Sequence, residues 1–190
     1  FADANATNED YHIRRVDGAG TLATVLGNGT GDPDYGSYAV SAKLDNITDI
    51  AVDGDYRVYI AGGDTGKVYR LGGISSALAG NERIYHVGGR VGGSPVTSTP
   101  KDPLACDLGE VVSIAVRSNT GWGVNANTAR AGFEGQEMFI AVKKPGTTPE
   151  FFVYRTYDAA GEMKIVKVAG GGLIDPDLNG TNAHSCRFTN

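Results

Sequence analysis

The sequence has no run of clustered Lys and Arg, no long apolar stretch and no sustained helical period. Each absence excludes something. Neutralising a nucleic-acid backbone takes grouped cations, and this chain is mildly acidic, with net charge −5 and a pI near 5.1. A nucleic-acid partner is therefore not expected. No apolar run approaches the roughly 18 residues that span a bilayer as a helix, so no membrane span is expected. No signal-peptide pattern opens the chain, so export would use a leader removed from, or lying outside, these residues. No window of 11 or more residues repeats apolar positions at a 3.6-residue period. Ile74–Ala79 is the one helix-like patch, and it is too short to matter alone.

Catalytic patterns are scarce as well. His12, His86 and His184 fall at unrelated positions and form no close-spaced zinc motif. No G-x-S-x-G elbow is present. The glycine runs Gly27-Asn28-Gly29 and Gly170-Gly171-Gly172 open no helix and are not phosphate cradles.

What the chain does have is glycine, 28 of 190 residues, and short β-branched or alternating runs. The runs are Ile13–Val16, Leu22–Leu26, Ile50–Asp53, Arg57–Ala61, Lys67–Leu71, Arg83–Val87, Val111–Val116, Glu137–Val142, Phe151–Tyr157 and Lys164–Val168. Turn signals separate them, among them Asp53-Gly54-Asp55, Pro145-Gly146 and Ala160-Gly161. The pattern predicts an all-β chain of antiparallel hairpins.

The runs repeat. Ala42-Lys43-Leu44 and Ile50-Ala51-Val52 match Cys106-Asp107-Leu108 and Ile114-Ala115-Val116, both 64 residues on. Tyr59-Ile60-Ala61 matches Phe139-Ile140-Ala141, 80 residues on. Val25-Leu26-Gly27, Val87-Gly88-Gly89 and Val168-Ala169-Gly170 form a third set. Each unit reads as four strands, and Ala51, Ala61, Ala115 and Ala141 are small residues suited to close sheet approach.

Ile50-Ala51-Val52-Asp53, Val58-Tyr59-Ile60-Ala61, His12-Ile13-Arg14-Arg15-Val16-Asp17 and Val25-Leu26-Gly27-Asn28-Gly29 resemble the NHL repeat. The likeness is strong over 11–71 and looser over 104–172. Arg117 stands where Asp53 stands one repeat earlier, and Gly62-Gly63-Asp64 departs from the usual strand ending. The resemblance implies a β-propeller of four-stranded antiparallel blades. Residues 1–30 would be a partial blade, 42–94 and 104–172 full blades, and 173–190 the start of another.

Phe1-Ala2-Asp3 aligns with Ile60-Ala61-Gly62, late in a second strand, and His184–Phe188 aligns with Val40–Leu44, ahead of a first strand. The ring in this chain is thus expected to be incomplete, because closed propellers take roughly 4–8 blades. Other protein chains, or further propeller sequence, would pair with the open blade edges. The bland alternative is that shortened terminal strands are capped by loops.

The loop from Ser118 to Gln136 replaces a tight turn of the preceding unit and carries Trp122, Asn125, Asn127, Arg130 and Phe133. An aromatic surface beside amides and a guanidinium suits a sugar ring or a peptide. The same loop could equally fold over a blade end with Trp122 as its own small core. The second insert, Gly88 to Pro103, reads as an extended link. Asp32-Pro33-Asp34 and Asp175-Pro176-Asp177 recur in equivalent links. Their carboxylates make Asp32, Asp34, Asp175 and Asp177 weak Ca²⁺ candidates, the only cofactor the sequence offers, although Asp-Pro also simply initiates turns.

Cys106 and Cys186 occupy the same repeat position. Equivalent positions in adjacent blades can lie too far apart to bridge, whereas an even count in an exported protein favours a disulfide. Asn5, Asn28, Asn46 and Asn179 head N-x-S/T sequons, as in a secreted glycoprotein. The expectation is an extracellular, non-enzymatic structural or adhesive module. The alternatives are a propeller lectin reading glycans through the Trp122 loop, and a metalloenzyme resembling the propeller lyases. The last requires bound metal and histidines gathered at an axis.

Overall fold

The computed structural model describes residues 1–4, 11–27, 29–30, 33, 37–44, 46–54, 57–62, 65–71, 82–117, 137–144 and 150–172. Their regular structure is β, with two single-turn 3-10 segments. Each of the ten expected strands has a counterpart, with ends shifted by up to three residues.

Three antiparallel sheets follow one another along the chain. Sheet 1 holds β1 (Ala2–Ala4), β2 (Tyr11–Val16) and β3 (Leu22–Leu26) in that order. β4 (Ser37–Tyr38) leads to the 3-10 turn Ala39–Ser41. Sheet 2 is the meander β5 (Ile47–Val52), β6 (Val58–Gly62), β7 (Lys67–Leu71) and β8 (Arg83–Gly88), with β4 added outside β8. A parallel pair, β9 (Ser94–Pro95) and β10 (Cys106–Asp107), flanks the second 3-10 turn, Pro103–Ala105. Sheet 3 is the meander β11 (Glu110–Arg117), β12 (Glu137–Lys144), β13 (Glu150–Ala159) and β14 (Glu162–Gly170).

Sheet 2 is buried on both faces, and the alternation of β6 shows how. Val58 and Ile60 pack with Ile13, Val25 and Leu26 of sheet 1. Tyr59 and Ala61 pack with Ile114, Met138, Ile140 and Ile165 of sheet 3. Successive side chains point to opposite faces, so a strand covered on both sides must be apolar throughout, and β6 is buried at all five residues. The three larger sheets of the described residues stack with two cores between them.

The sequence repeat is also a repeat of backbone detail. The 3-10 turns at Ala39 and Pro103 stand 64 residues apart, as do the register shifts at Ile47/Asp49 in β5 and Val111/Ser113 in β11. Gly27, Gly89 and Gly170 close their units at φ +88°, +89° and +92°. A Cβ there would come within 2.4 Å of Tyr11 O, 1.8 Å of Gly66 O and 2.1 Å of Phe151 O. Only glycine fits this left-handed, crowded position. The Gly27 and Gly89 amides donate to the carbonyls of Ala39 and Pro103 at 3.3 and 3.0 Å, so the same bond ties each unit to the link that follows.

The links also cover the outer strands. Ser37 pairs with Ile84, and Lys101, 64 residues later, forms a bridge with Ile165. Lys167 N adds a 2.8 Å bond to Thr97 O. The extended link read from Gly88 to Pro103 thus supplies partial pairing for β14, as β4 does for β8, and the outer edges are blunted.

The Ile74–Ala79 patch, the whole Trp122 loop and residues 173–190 lie outside the described residues.

Candidate functional site

The described residues concentrate their inter-sheet polar chemistry where β5 meets β11. Asp49 Oδ2 accepts from the Ser113 hydroxyl at 2.6 Å and from Ile114 N at 2.9 Å. Its Oδ1 accepts from Ile50 N at 2.8 Å. Thr48 Oγ1 donates to Val111 O at 2.7 Å. Asp49 and Ser113 are 64 residues apart, so equivalent positions of successive units meet directly. The register shifts in both strands fall beside these residues and disturb the ladder there. One carboxylate therefore satisfies backbone donors of two sheets.

Sheet 1 offers no matching strand among the described residues. β6 is paired on both sides, by β5 and β7, and β12 by β11 and β13. β1, aligned with β6, is paired only with β2. The consequence is visible on β5. Val52 points toward sheet 1 beside Val58 and is 56% exposed. Val116, its equivalent in sheet 3, points back toward sheet 2 and packs into the core there. The difference is that β11 has β5 to meet at the seam above, whereas sheet 1 has no described first strand for β5 to meet.

The faces follow the same logic. Ile60, Leu71 and Ile84 of sheet 2 are fully buried against sheet 1, and Ile140, Thr156 and Ile165 of sheet 3 against sheet 2. Leu71 pairs with Ile84, Thr156 with Ile165, and in sheet 1 Val16 with Leu22. Phe1 exchanges backbone bonds with Arg14 at 2.9 and 3.0 Å, the position Ile60 takes opposite Tyr69. The sheet 1 set is thus Phe1, Val16 and Leu22, which are 57%, 54% and 52% exposed.

Buried charges serve the sheets. The Asp53 carboxylate accepts from Arg57 N at 2.9 Å and lies 3.7 Å from the Arg57 guanidinium. One unit later Arg117 replaces Asp53 and Glu137 replaces Arg57, and Arg117 Nη1 lies 3.6 Å from Glu137 Oε2. The pair is kept with its polarity reversed, and Arg155 Nε also donates to Glu137. The Tyr59 hydroxyl, 3.5 Å from Asp53, is held far above the ordinary phenol range by burial first and the Asp53 charge second. Burial, then Asp107, does the same to Tyr154. Both phenols stay neutral.

The histidines do not meet in the described part. His12 lies in β2, 3.9 Å from an Asp3 oxygen. His86 lies in β8, its Nε2 2.9 Å from Gly88 O, and burial holds its pKa below the ordinary value. His184 lies outside the described residues. Among the described residues no three His, Cys, Asp or Glu side chains converge as a cation site. No helix there is long and apolar enough to cross a membrane.

Cys106 is a buried free thiol 3.2 Å from Asp102 O, with its pKa raised mainly by burial. Its pairing with Cys186 falls on a residue outside the described set. Asn46 sits at φ +51° just before β5, and Thr48 of its sequon is the seam residue already met. Asn5, Asn28, Asn179, Asp32, Asp34, Asp175, Asp177, Trp122, Asn125, Asn127, Arg130 and Phe133 all lie outside the described residues.

The β5–β11 seam escaped the sequence reading, although the 64-residue spacing of Asp49 and Ser113 was there to flag it. No family model matches the chain, and no curated protein matches it in sequence.

Proposed function

We propose that this chain is a non-enzymatic structural or adhesive module of an extracellular protein. It is built of NHL-like propeller blades and joins other chains, or further blades of its own protein, through the open edge of β1. The observation that carries the reading is the exposed Val52 together with β1, which among the described residues is paired on one side only. A first strand added to β1 would meet β5, where Val52 lies exposed, as β5 meets β11, and would supply the backbone ladder that β6 and β12 already enjoy. The stacking of sheets, each burying its neighbour's face, supports the propeller reading, since a lone blade cannot bury its own faces. The four sequons support the extracellular part.

The test is strand addition. A labelled peptide with the sequence of residues 46–53 is titrated with the protein and followed by fluorescence anisotropy. Binding is expected, and a proline at the Ala51 position should abolish it by removing a ladder donor, since ladder bonds alternate along a strand and the Asp53 amide, two residues on, bonds across to Arg57 O. Equal anisotropy for this peptide and a scrambled one, up to millimolar peptide, would overturn the edge reading. Intact mass before and after glycosidase treatment of protein from its natural source tests the extracellular part, and an unchanged mass counts against it.

A further inference from the structure

We propose that the exposed face of sheet 1 in one copy of this chain stacks on the open face of sheet 3 in another copy, head to tail. The inference rests on the stacked-repeat reading above but uses the faces of the sheets rather than the β1 edge. Two interfaces of one kind already exist within the chain. In each, a sheet's back face packs on the front face of the sheet before it.

The free faces are one of each type. Phe1, Val16 and Leu22 form the back of sheet 1, each more than half exposed, at positions that are fully buried in sheets 2 and 3. Phe139, Ala141 and Val153 form the front of sheet 3. Their equivalents in sheet 2, Tyr59, Ala61 and Val68, are 1%, 0% and 0% exposed beneath sheet 3, whereas Phe139 is 37% exposed and the other two are half-buried. A copy of the chain therefore presents the two faces that match. Exposed apolar faces of this kind mark interaction surfaces. Because the two faces differ, the contact is heterologous: it closes into a ring or runs on as a filament, and one disabled face ends it.

The test uses sedimentation velocity on the whole chain, with Leu22→Glu disabling the back face and Phe139→Glu the front. Both residues are solvent-exposed, and thermal melts of dilute protein check that each variant is folded. Val16→Glu replaces Leu22→Glu should that variant melt early. Wild type is expected to gain mass with concentration, stopping at a dimer if two copies of three sheets close the ring and growing on if they do not. Each variant alone stays monomeric, and a 1:1 mixture forms a heterodimer and stops there. A wild type still monomeric at about 100 μM, well above the micromolar-to-picomolar range of standard-size interfaces, would overturn the proposal. So would a mixture that stays monomeric, or variants that assemble like wild type. Should the face proposal fall on any of these counts, strand-peptide binding that survives would leave the edge reading standing.

Discussion

Removing the Asp49 carboxylate should loosen the join between sheets 2 and 3 far more than its half-buried position on β5 implies. In Asp49→Ala the amide of Ile114, a residue only 5% exposed, loses its acceptor. A buried donor left unsatisfied costs about 1–3 kcal/mol. The Ile50 amide loses its 2.8 Å bond as well, in a half-buried setting where water partly replaces the carboxylate. Ser113 is exposed, so its hydroxyl is readily solvated and adds little. The sum is about 2–4 kcal/mol. Asp49→Asn keeps one acceptor oxygen and should cost about half as much. Urea unfolding at pH 7 reads these values as midpoint shifts at constant slope. A double-mutant cycle with Ser113→Ala isolates the cross-sheet pair, and because that hydroxyl is exposed a coupling of only about 0.5 kcal/mol, the low end for residues in contact, is expected. A cost under about 0.5 kcal/mol for Asp49→Ala, the size of an ordinary surface change, would refute the assignment. Strict additivity in the cycle would refute the pairing with Ser113.

Alanine at Gly27, Gly89 or Gly170 should cost more than about 2 kcal/mol each, since left-handed strain adds to a backbone collision. Gly92→Ala, at φ +69° with nothing within 4 Å of its Cβ, should cost only about 1 kcal/mol. Equal midpoints for the four variants in urea would sink this. Burial holds the His86 pKa in the fold below its ordinary value of 6.5, so the unfolded chain takes up that proton first as pH falls. The His86 contribution is therefore complete above pH 6.5 and declines as pH falls through and below it. His86→Gln should flatten the stability profile between pH 7 and 5 relative to wild type, and parallel profiles would contradict it. The Cys106 thiol, fully buried and hard to ionise, should resist an aromatic disulfide reagent in the native protein and react once the chain is unfolded in guanidinium. Rapid native labelling of Cys106, mapped by peptide mass, would show that the second core is open.

Local pattern was sufficient for the strands. Val58-Tyr59-Ile60-Ala61 reads as a fully covered strand because it is apolar at every position, and the structure buries it on both faces. The recurring glycines marked the ends of the units, and their shared φ near +90° is what made glycine recur. The polarity of an ion pair was half visible: Arg117 at the Asp53 position looked like a departure until Glu137 appeared at the Arg57 position across the hairpin. What no local pattern carries is which side chains meet across sheets. Asp49 reads as one polar residue on a strand until the stack brings β11 against β5. Phe1, Val16 and Leu22 look in sequence like the core residues of the later units. Periodicity records how a strand alternates between two faces, so it fixes composition and strand order in each hairpin. Whether a face is covered depends on neighbours distant in the chain, and that was decided only when the sheets stacked.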